Sequence, residues 1–378
     1  MAVVSLNNPI VHLVVLGWVF MGCIGLGLMN IDGAPYVPAM FVFGDSLADT
    51  GNNNLIPNCK VRADIIPYGI SAFPKPTGRF SDGYITFDYI ASFLGLSSPN
   101  LLLSHPTSIS SGINFASAGS GLLDSTGKRK ACFICINVMP LSRQIQKFQN
   151  ISNMLIKEQG YEKAKFRIAN SLFCISIGSN DIAEYIIRMI NGVTDPPMEQ
   201  FARKLFKAYD EHLVELYKSG ARKFLLVDVP ALGCTPYARQ FIDFFAPHSC
   251  FPPANDLSIK YNSWLRKLVD HLNQKLDGAS IILLDSYSKV MDMIFHAESY
   301  GFLETKFACC GSGTLNVSKD CGKTTPPDQY CKDPDTHLFW DWAHPTQKAA
   351  KIFADAIWSG NSSVIHPFNL STLVLARK

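Results

Sequence analysis

The sequence is short of charge. Charged residues make up 17% of its 378 positions, the formal net charge is +3, and no run of lysine and arginine exceeds Lys128-Arg129-Lys130. A nucleic-acid partner needs a concentrated basic face, so none is expected, and this short run reads as a solvated loop. Beyond the first thirty residues no apolar stretch is long enough to span a bilayer. There is no Gly-x-Ser-x-Gly elbow, which argues against an α/β-hydrolase arrangement. There is no dinucleotide fingerprint either. The segment Gly121 to Gly127-Lys128 has one residue too many between its glycines for a phosphate loop, and Arg129 stands where Ser or Thr is required. Internal repeats, low-complexity tracts and flexible linkers are also missing.

What is present is a large apolar fraction, 47% of residues, enough for a sizeable buried core. From Ile10 to Met29 the chain is apolar apart from His12 and carries no charge. With Gly25, Gly27, Gly33 and Ala34 near its end, this stretch reads as a secretory signal peptide ending about residue 33, followed by a single domain over 34–378. A transmembrane anchor is the competing reading, and the lack of basic residues before the run counts slightly in its favour. Removal of the leader leaves no stable membrane anchor and an extracellular protein, in the apoplast or cell wall if the source is a plant. The cysteines agree with export. There are 11, and without Cys23 the remaining ten are Cys59, Cys132, Cys135, Cys174, Cys234, Cys250, Cys309, Cys310, Cys321 and Cys331. An even number fits disulfides in an oxidising compartment. Cys132-x-x-Cys135 has metal-like spacing but no matching second pair, and Cys174 lies in an apolar run, where a buried free thiol is the alternative that would spoil the even pairing. Sequons at Asn150, Asn316, Asn361 and Asn369 are candidate glycan sites in such a chain.

Short apolar runs alternate with amphipathic stretches. Strands are expected at Ala39 to Phe43, Ile113 to Ala116, Leu172 to Ile177, Lys223 to Val229 and Ser280 to Leu284. Helical stripes run through Leu141, Ile145, Phe148, Ile151 and Leu155, through Phe201, Leu205, Tyr209, Leu213 and Leu216, and through Leu257, Tyr261, Leu265, Leu268 and Leu272. Gly220 and Gly278 look like helix stops. A last helix is expected from Pro345 to Trp358, with the proline in its first turn. Alternating strands and helices imply a parallel sheet covered on both faces. The Cys-, Gly- and Pro-rich region from Ala308 to His337 reads as a long disulfide-pinned loop.

Several turns carry chemistry. Ser46 follows the first strand directly in Phe43-Gly44-Asp45-Ser46-Leu47, and ligands of open α/β sheets bind beyond the carboxyl ends of strands. A serine hydroxyl needs a base to become a nucleophile. Asp341-Trp342-Ala343-His344 supplies one: a carboxylate three residues before a histidine can reach the far imidazole nitrogen and fix its tautomer. The plainer reading makes Ser46 and Asp341 helix caps and leaves His344 as packing. Acyl transfer also needs donors for an oxyanion. Two turns offer them, one ending at Gly119, whose backbone N–H a substrate can approach closely, and one at Gly178-Ser179-Asn180-Asp181, where the Asn180 amide can donate. Asp181 itself reads as a cap for the next helix.

These segments occur together and in order. The chain resembles the plant-type GDSL esterase/lipase family within the SGNH hydrolase superfamily. The matching stretches are Phe43 through Asn54, Pro76-Thr77-Gly78-Arg79-Phe80-Ser81-Asp82-Gly83, Gly112 through Gly121, Ser176 through Asp181 and Phe339 through Thr346. The resemblance runs from about Pro38 to Ile357. It implies a three-layer α/β/α sandwich with a flavodoxin-like five-stranded parallel sheet. It implies Ser46 as nucleophile, His344 as base, Asp341 as its partner, and Ser46, Gly119 and Asn180 as oxyanion donors, acting on a small-molecule or lipid ester with no metal or organic cofactor. Ala118 departs from the glycine many relatives carry, and Ala63-Asp64-Ile65-Ile66-Pro67-Tyr68-Gly69 departs from the usual form of the substrate mouth. Acyl transfer to an alcohol by the same chemistry, and a non-catalytic binding or defence protein on the same scaffold, are the alternatives.

Overall fold

A computed structural model describes residues 34–104, 109–127, 137–193, 195–247, 249–322 and 329–375. The leader, Lys128-Arg129-Lys130 and Cys132-x-x-Cys135 lie outside the described residues.

Five parallel strands form the centre: β1 (Met40–Gly44), β3 (Gly112–Asn114), β4 (Leu172–Ser176), β5 (Lys223–Val227) and β6 (Ser280–Leu284). Their order, β3-β1-β4-β5-β6, is the flavodoxin-like order 2-1-3-4-5. The five-stranded expectation is exceeded at both edges. The two-residue strand β2 (Asn100–Leu101) pairs parallel to β3, and β9 (Ile365–His366) pairs antiparallel to β6, giving a seven-stranded sheet among the described residues. Pairs this short carry no hydrophobic run, which is why periodicity does not announce them.

The strands β1, β4, β5 and β6 are largely apolar on both faces because both are covered. With a period of two, alternate residues enter different cores. Phe41, Phe43, Phe173, Ile175, Phe224 and Leu226 join one cluster, packed by α2 (Leu141–Gln159), α3 (Tyr161–Asn170), α4 (Ser179–Ile190), α5 (Met198–Lys218) and α7 (Pro252–Lys275). Met40, Val42, Leu172, Cys174, Leu225 and Ile282 join the other. It is packed by α1 (Thr86–Phe93), α8 (Ser286–Phe295), α9 (Gln347–Ser359) and α10 (Leu370–Leu375). The three expected helical stripes are the buried faces of α2, α5 and α7. The last expected helix is displaced: α9 starts at Gln347, its N-cap is Thr346, whose side chain accepts from the Ala349 N–H, and Pro345 precedes it. Nor is it the last, since β9 and α10 follow.

Among the described residues three disulfides pin the loops at the carboxyl edge of the sheet: Cys234–Cys250, Cys309–Cys331 and Cys310–Cys321. Two of them close the region after β7 (Glu304–Ala308), which pairs with β8 (His337–Phe339). The short helix α6 (Pro236–Arg239) lies within the loop closed by the third. Cys59 and Cys174, both buried, have no disulfide partner among the described residues, and burial raises both thiol pKa values.

Candidate active site

Gly44 ends β1 in a conformation closed to other residues. Its φ is +147°, and an added Cβ would lie 2.2 Å from the Ser176 carbonyl oxygen of β4. The turn that follows carries Ser46 over the sheet edge. Its polar residues are spent on holding it there. The Asp49 carboxylate accepts from the N–H groups of Gly51, Asn52 and Asn53, and across the site from that of Ala118 at 3.0 Å. The amide of Asn52 donates to the carbonyls of Asn114 and Ala116, and that of Asn53 to Val61 and Ala118. The run Asp49 to Asn53 therefore fixes the segment 114–118 beside Ser46 and delivers Gly119, with φ +81°.

The Ser46 Oγ is 2.8 Å from His344 Nε2. On the far side of the ring, Nδ1 lies 2.8 and 2.9 Å from the two carboxylate oxygens of Asp341. Asp341 is fully buried and His344 and Ser46 nearly so. Asp341 Oδ1 also accepts from the N–H groups of Ala343 and His344, at 3.0 and 2.9 Å. Burial alone would raise its pKa; the His344 charge, the His344 hydrogen bond and the two amides outweigh it and hold the carboxyl below its usual value. Asp341 thus caps its own turn and orients the imidazole with the same oxygen. Phe80 lies against the His344 ring, 4.8 Å between centroids. Asp82 accepts from the Gln347 N–H at 2.7 Å, tying the start of α9 to the same segment.

Ser46, Gly119, Asn180 and His344 line one cavity. The N–H groups of Ser46 and Gly119 have no hydrogen-bond partner among the described residues. Unpaired backbone donors are rare in folded proteins, and these two belong to residues that line the same cavity. Asn180 Nδ2 donates to the Ser120 carbonyl at 2.9 Å, which sets the plane of its amide. Asp181 is a correction. It does not cap its own helix. Its buried carboxylate accepts from the Leu122 and Leu123 N–H groups and the Thr126 hydroxyl, and so pins the turn after Gly119. Burial raises its pKa to about 6.

Two supporting residues escape motif reading. Tyr68, buried, donates its hydroxyl to Asp341 Oδ2 at 2.8 Å. It lies in the stretch already marked as a departure at the mouth, but nothing local ties it to a residue 273 positions away. Gln144 accepts from the Gly44 N–H and donates to the Gly44 carbonyl, each at 2.9 Å, clamping the last residue of β1. Its signal was available: it is a polar residue on the buried face of α2, between Leu141 and Ile145. Among the glycan candidates, Asn150 and Asn361 are exposed. The amides of Asn316 and Asn369 turn inward, donating to the carbonyls of Ala308 and Gly360.

A serine, a histidine and a buried aspartate in a hydrogen-bonded line, beyond the strands of a parallel sheet, have the layout of a serine hydrolase. The comparisons with known proteins give the family. Residues 40–357 match the model of the GDSL-like lipase/acylhydrolase family. GDSL esterase/lipase 6 of Arabidopsis thaliana is 36% identical over 344 residues, covering 89% of this chain and 90% of that relative. GDSL esterase/lipase 7 of the same plant is 34% identical over 350 residues, covering 90% and 93%. Among solved structures, an acetyl-xylooligosaccharide esterase mutant from Geobacillus aligns over 68% of this chain and 80% of its own at 12% identity and a TM-score of 0.30, too slight a likeness to bear on the argument. The chain belongs to the GDSL-like lipase/acylhydrolase family, and its enzyme class is that of the carboxylic ester hydrolases.

Proposed function

We propose that the protein is exported and hydrolyses carboxylic esters through a covalent acyl-Ser46 intermediate. The observation that carries this reading is the line Ser46 Oγ, His344 Nε2, His344 Nδ1, Asp341, with a hydrogen bond of 2.8 Å at each end. The Asp341 carboxylate keeps the Nδ1 proton on its side of the ring and leaves Nε2 as the acceptor facing the serine. As the Ser46 oxygen attacks the ester carbonyl, His344 takes its proton and the carbonyl oxygen becomes an anion. The N–H groups of Ser46 and Gly119 and the Asn180 amide donate to that anion. His344 then protonates the departing alcohol, leaving the acyl-enzyme. Water repeats the sequence, with His344 as base and then as acid, and releases the carboxylic acid.

Export is supported by the three disulfides, which persist in oxidising compartments, and by the apolar leader read from the sequence. No helix among the described residues is long and apolar enough to cross a membrane. The test of the chemistry is labelling with a fluorophosphonate probe, which is expected to mark wild type at Ser46 and to leave Ser46→Ala unmarked. Equal labelling of the two would end the acyl-enzyme reading and favour a non-catalytic scaffold.

A further inference from the structure

The two cores are not equally full. Val227, Leu284, Val290, Leu338 and Phe353 belong to the second core cluster, each at most 9% exposed. The same five line the cavity of about 490 Å³ that opens at Ser46, together with buried Ala350. Protein interiors are close-packed, and a void within one forfeits contacts on every wall. A hollow inside a core and continuous with a reactive serine is therefore a receptor for part of the substrate.

The sheet register gives its direction. Gly44, Ser176, Val227 and Leu284 are successive partners across β1, β4, β5 and β6. By strand alternation all four sit on the face of the second cluster. Gly44, packed against the Ser176 carbonyl, closes the row beneath the Ser46 turn, while Ser176, Val227 and Leu284 line the cavity, a small residue first and then valine and leucine as an apolar floor. Ala350 and Phe353 of α9 and Val290 of α8 lie above it. Polar side chains on the inner rim are already engaged: the Ser286 hydroxyl donates to Asp228, and the Thr86 hydroxyl to the Ala350 carbonyl. Three strand spacings make a path of about 14 Å, which an extended chain of roughly ten carbons fills.

We propose that this hollow is the acyl channel, that it receives an unbranched aliphatic acyl group of about ten carbons, and that Ala350, Val290 and Phe353 set the chain length accepted. The proposal rests on the acyl-Ser46 reading. The acyl chain runs sideways beneath α9 across the strand ends, and the alcohol part of the ester leaves toward the open side of the cavity.

The experiment is a series of nitrophenyl esters from acetate to palmitate, with kcat/KM measured for wild type, Ala350→Leu and Phe353→Ala. Wild type is expected to peak near decanoate, at least tenfold above acetate. Ala350→Leu, which fills the channel, is expected to lower the decanoate-to-acetate ratio at least tenfold. Phe353→Ala, which lengthens it, is expected to move the peak to longer chains. Partial unfolding lowers all esters together and cannot move the optimum in opposite directions in two variants. A wild type that prefers acetate, or two variants that keep the wild-type optimum, would overturn the channel. If wild type hydrolyses no ester of the series and labels with fluorophosphonate no better than Ser46→Ala, it is the acyl-enzyme reading that has failed, and the channel falls with it.

Discussion

The two faces of the sheet are built to different standards. On one, Phe41, Phe43, Phe115, Phe148, Phe173 and Phe224 form a continuous aromatic stack, with the Phe43 and Phe115 rings nearly parallel at 4.9 Å and Phe148 edge-on to Phe173 at 5.1 Å. On the other, aliphatic side chains pack firmly at the amino ends of the strands and give way to a hollow at the carboxyl ends. The first face holds the strands in register. The second leaves room where the chemistry is. Rigidity on one side of the sheet supports precision on the other, because Ser46 rides on β1 and β1 is clamped from the aromatic side, by Phe41 and Phe43 in its core and by Gln144 at its end.

The largest expected effect tests the full face. Phe173→Ala removes a ring from the middle of the stack and should cost about 3–5 kcal/mol of unfolding free energy, read as a lowered urea midpoint. Activity per folded molecule should hold, since Phe173 does not line the cavity. A cost below about 1 kcal/mol would mean that the stack is loosely packed and that the contrast between the faces is false.

That contrast was half legible. Alternation of strands and helices was plain because β1, β4, β5 and β6 are short, largely apolar runs between turn signals, and β6 matches its expected bounds of Ser280 to Leu284. The candidate site residues Ser46, Gly119, Asp341 and His344 could be picked out because each sits in or directly after a turn or bend, and Asn180 because it opens α4, places where few residue types satisfy the backbone and the chemistry together. The hollow could not be. Val227, Leu284 and Phe353 look like any core residues, and only the packing of remote elements decides whether the space between them is filled. Tyr68 and Asp181 were missed or misread for the same reason: their partners lie 273 and about 60 positions away.

The second prediction concerns the hinge between the faces. Asp45, beside the nucleophile, is fully buried, with Oδ1 accepting from the Leu47 N–H and Oδ2 without a partner. Burial, against a counter-pull from the Leu47 N–H and the His344 charge, raises its pKa from 3.8 to about 7. Asp49, raised chiefly by burial to about 6, behaves alike. A carboxyl raised in the folded state keeps a proton that the unfolded chain gives up, so its contribution to stability falls as pH rises from about 4 to about 7 and is level above that. At 1.36 kcal/mol per pH unit, Asp45 alone should account for up to about 4 kcal/mol across that window. Asp45→Asn should flatten the stability profile between pH 4.5 and 7.5, measured by urea unfolding at each pH. An unchanged slope would show that Asp45 is ionised throughout.

Tyr68→Phe is the next smaller effect. The ring keeps its contacts with Phe80 and Trp340, at 5.9 and 6.2 Å between centroids, while Asp341 loses one donor. A hydrogen bond to a charged group contributes about 1.5–3 kcal/mol, so kcat should fall roughly ten- to a hundredfold, with KM nearly steady. A change in KM alone would place Tyr68 on the substrate side and not behind the histidine.

The smallest effect is the sharpest test of the contrast, because its sign is unusual. Adding three carbons to a buried alanine in a filled core normally costs about 1–3 kcal/mol. Ala350 is 1% exposed and would be judged such a site by burial alone. It faces the hollow, however, and leucine is nearly as good a helix former as alanine. Ala350→Leu should therefore be neutral or raise unfolding free energy by up to about 1 kcal/mol, as cavity-filling substitutions do, while it narrows the range of acyl chains accepted. A gain in stability bought with a loss of selectivity would place the hollow among features kept for substrate and not for folding. A loss of 2 kcal/mol or more would mean that α9 already lies tight on the sheet, that both faces are full, and that the acyl group must lie outside the core.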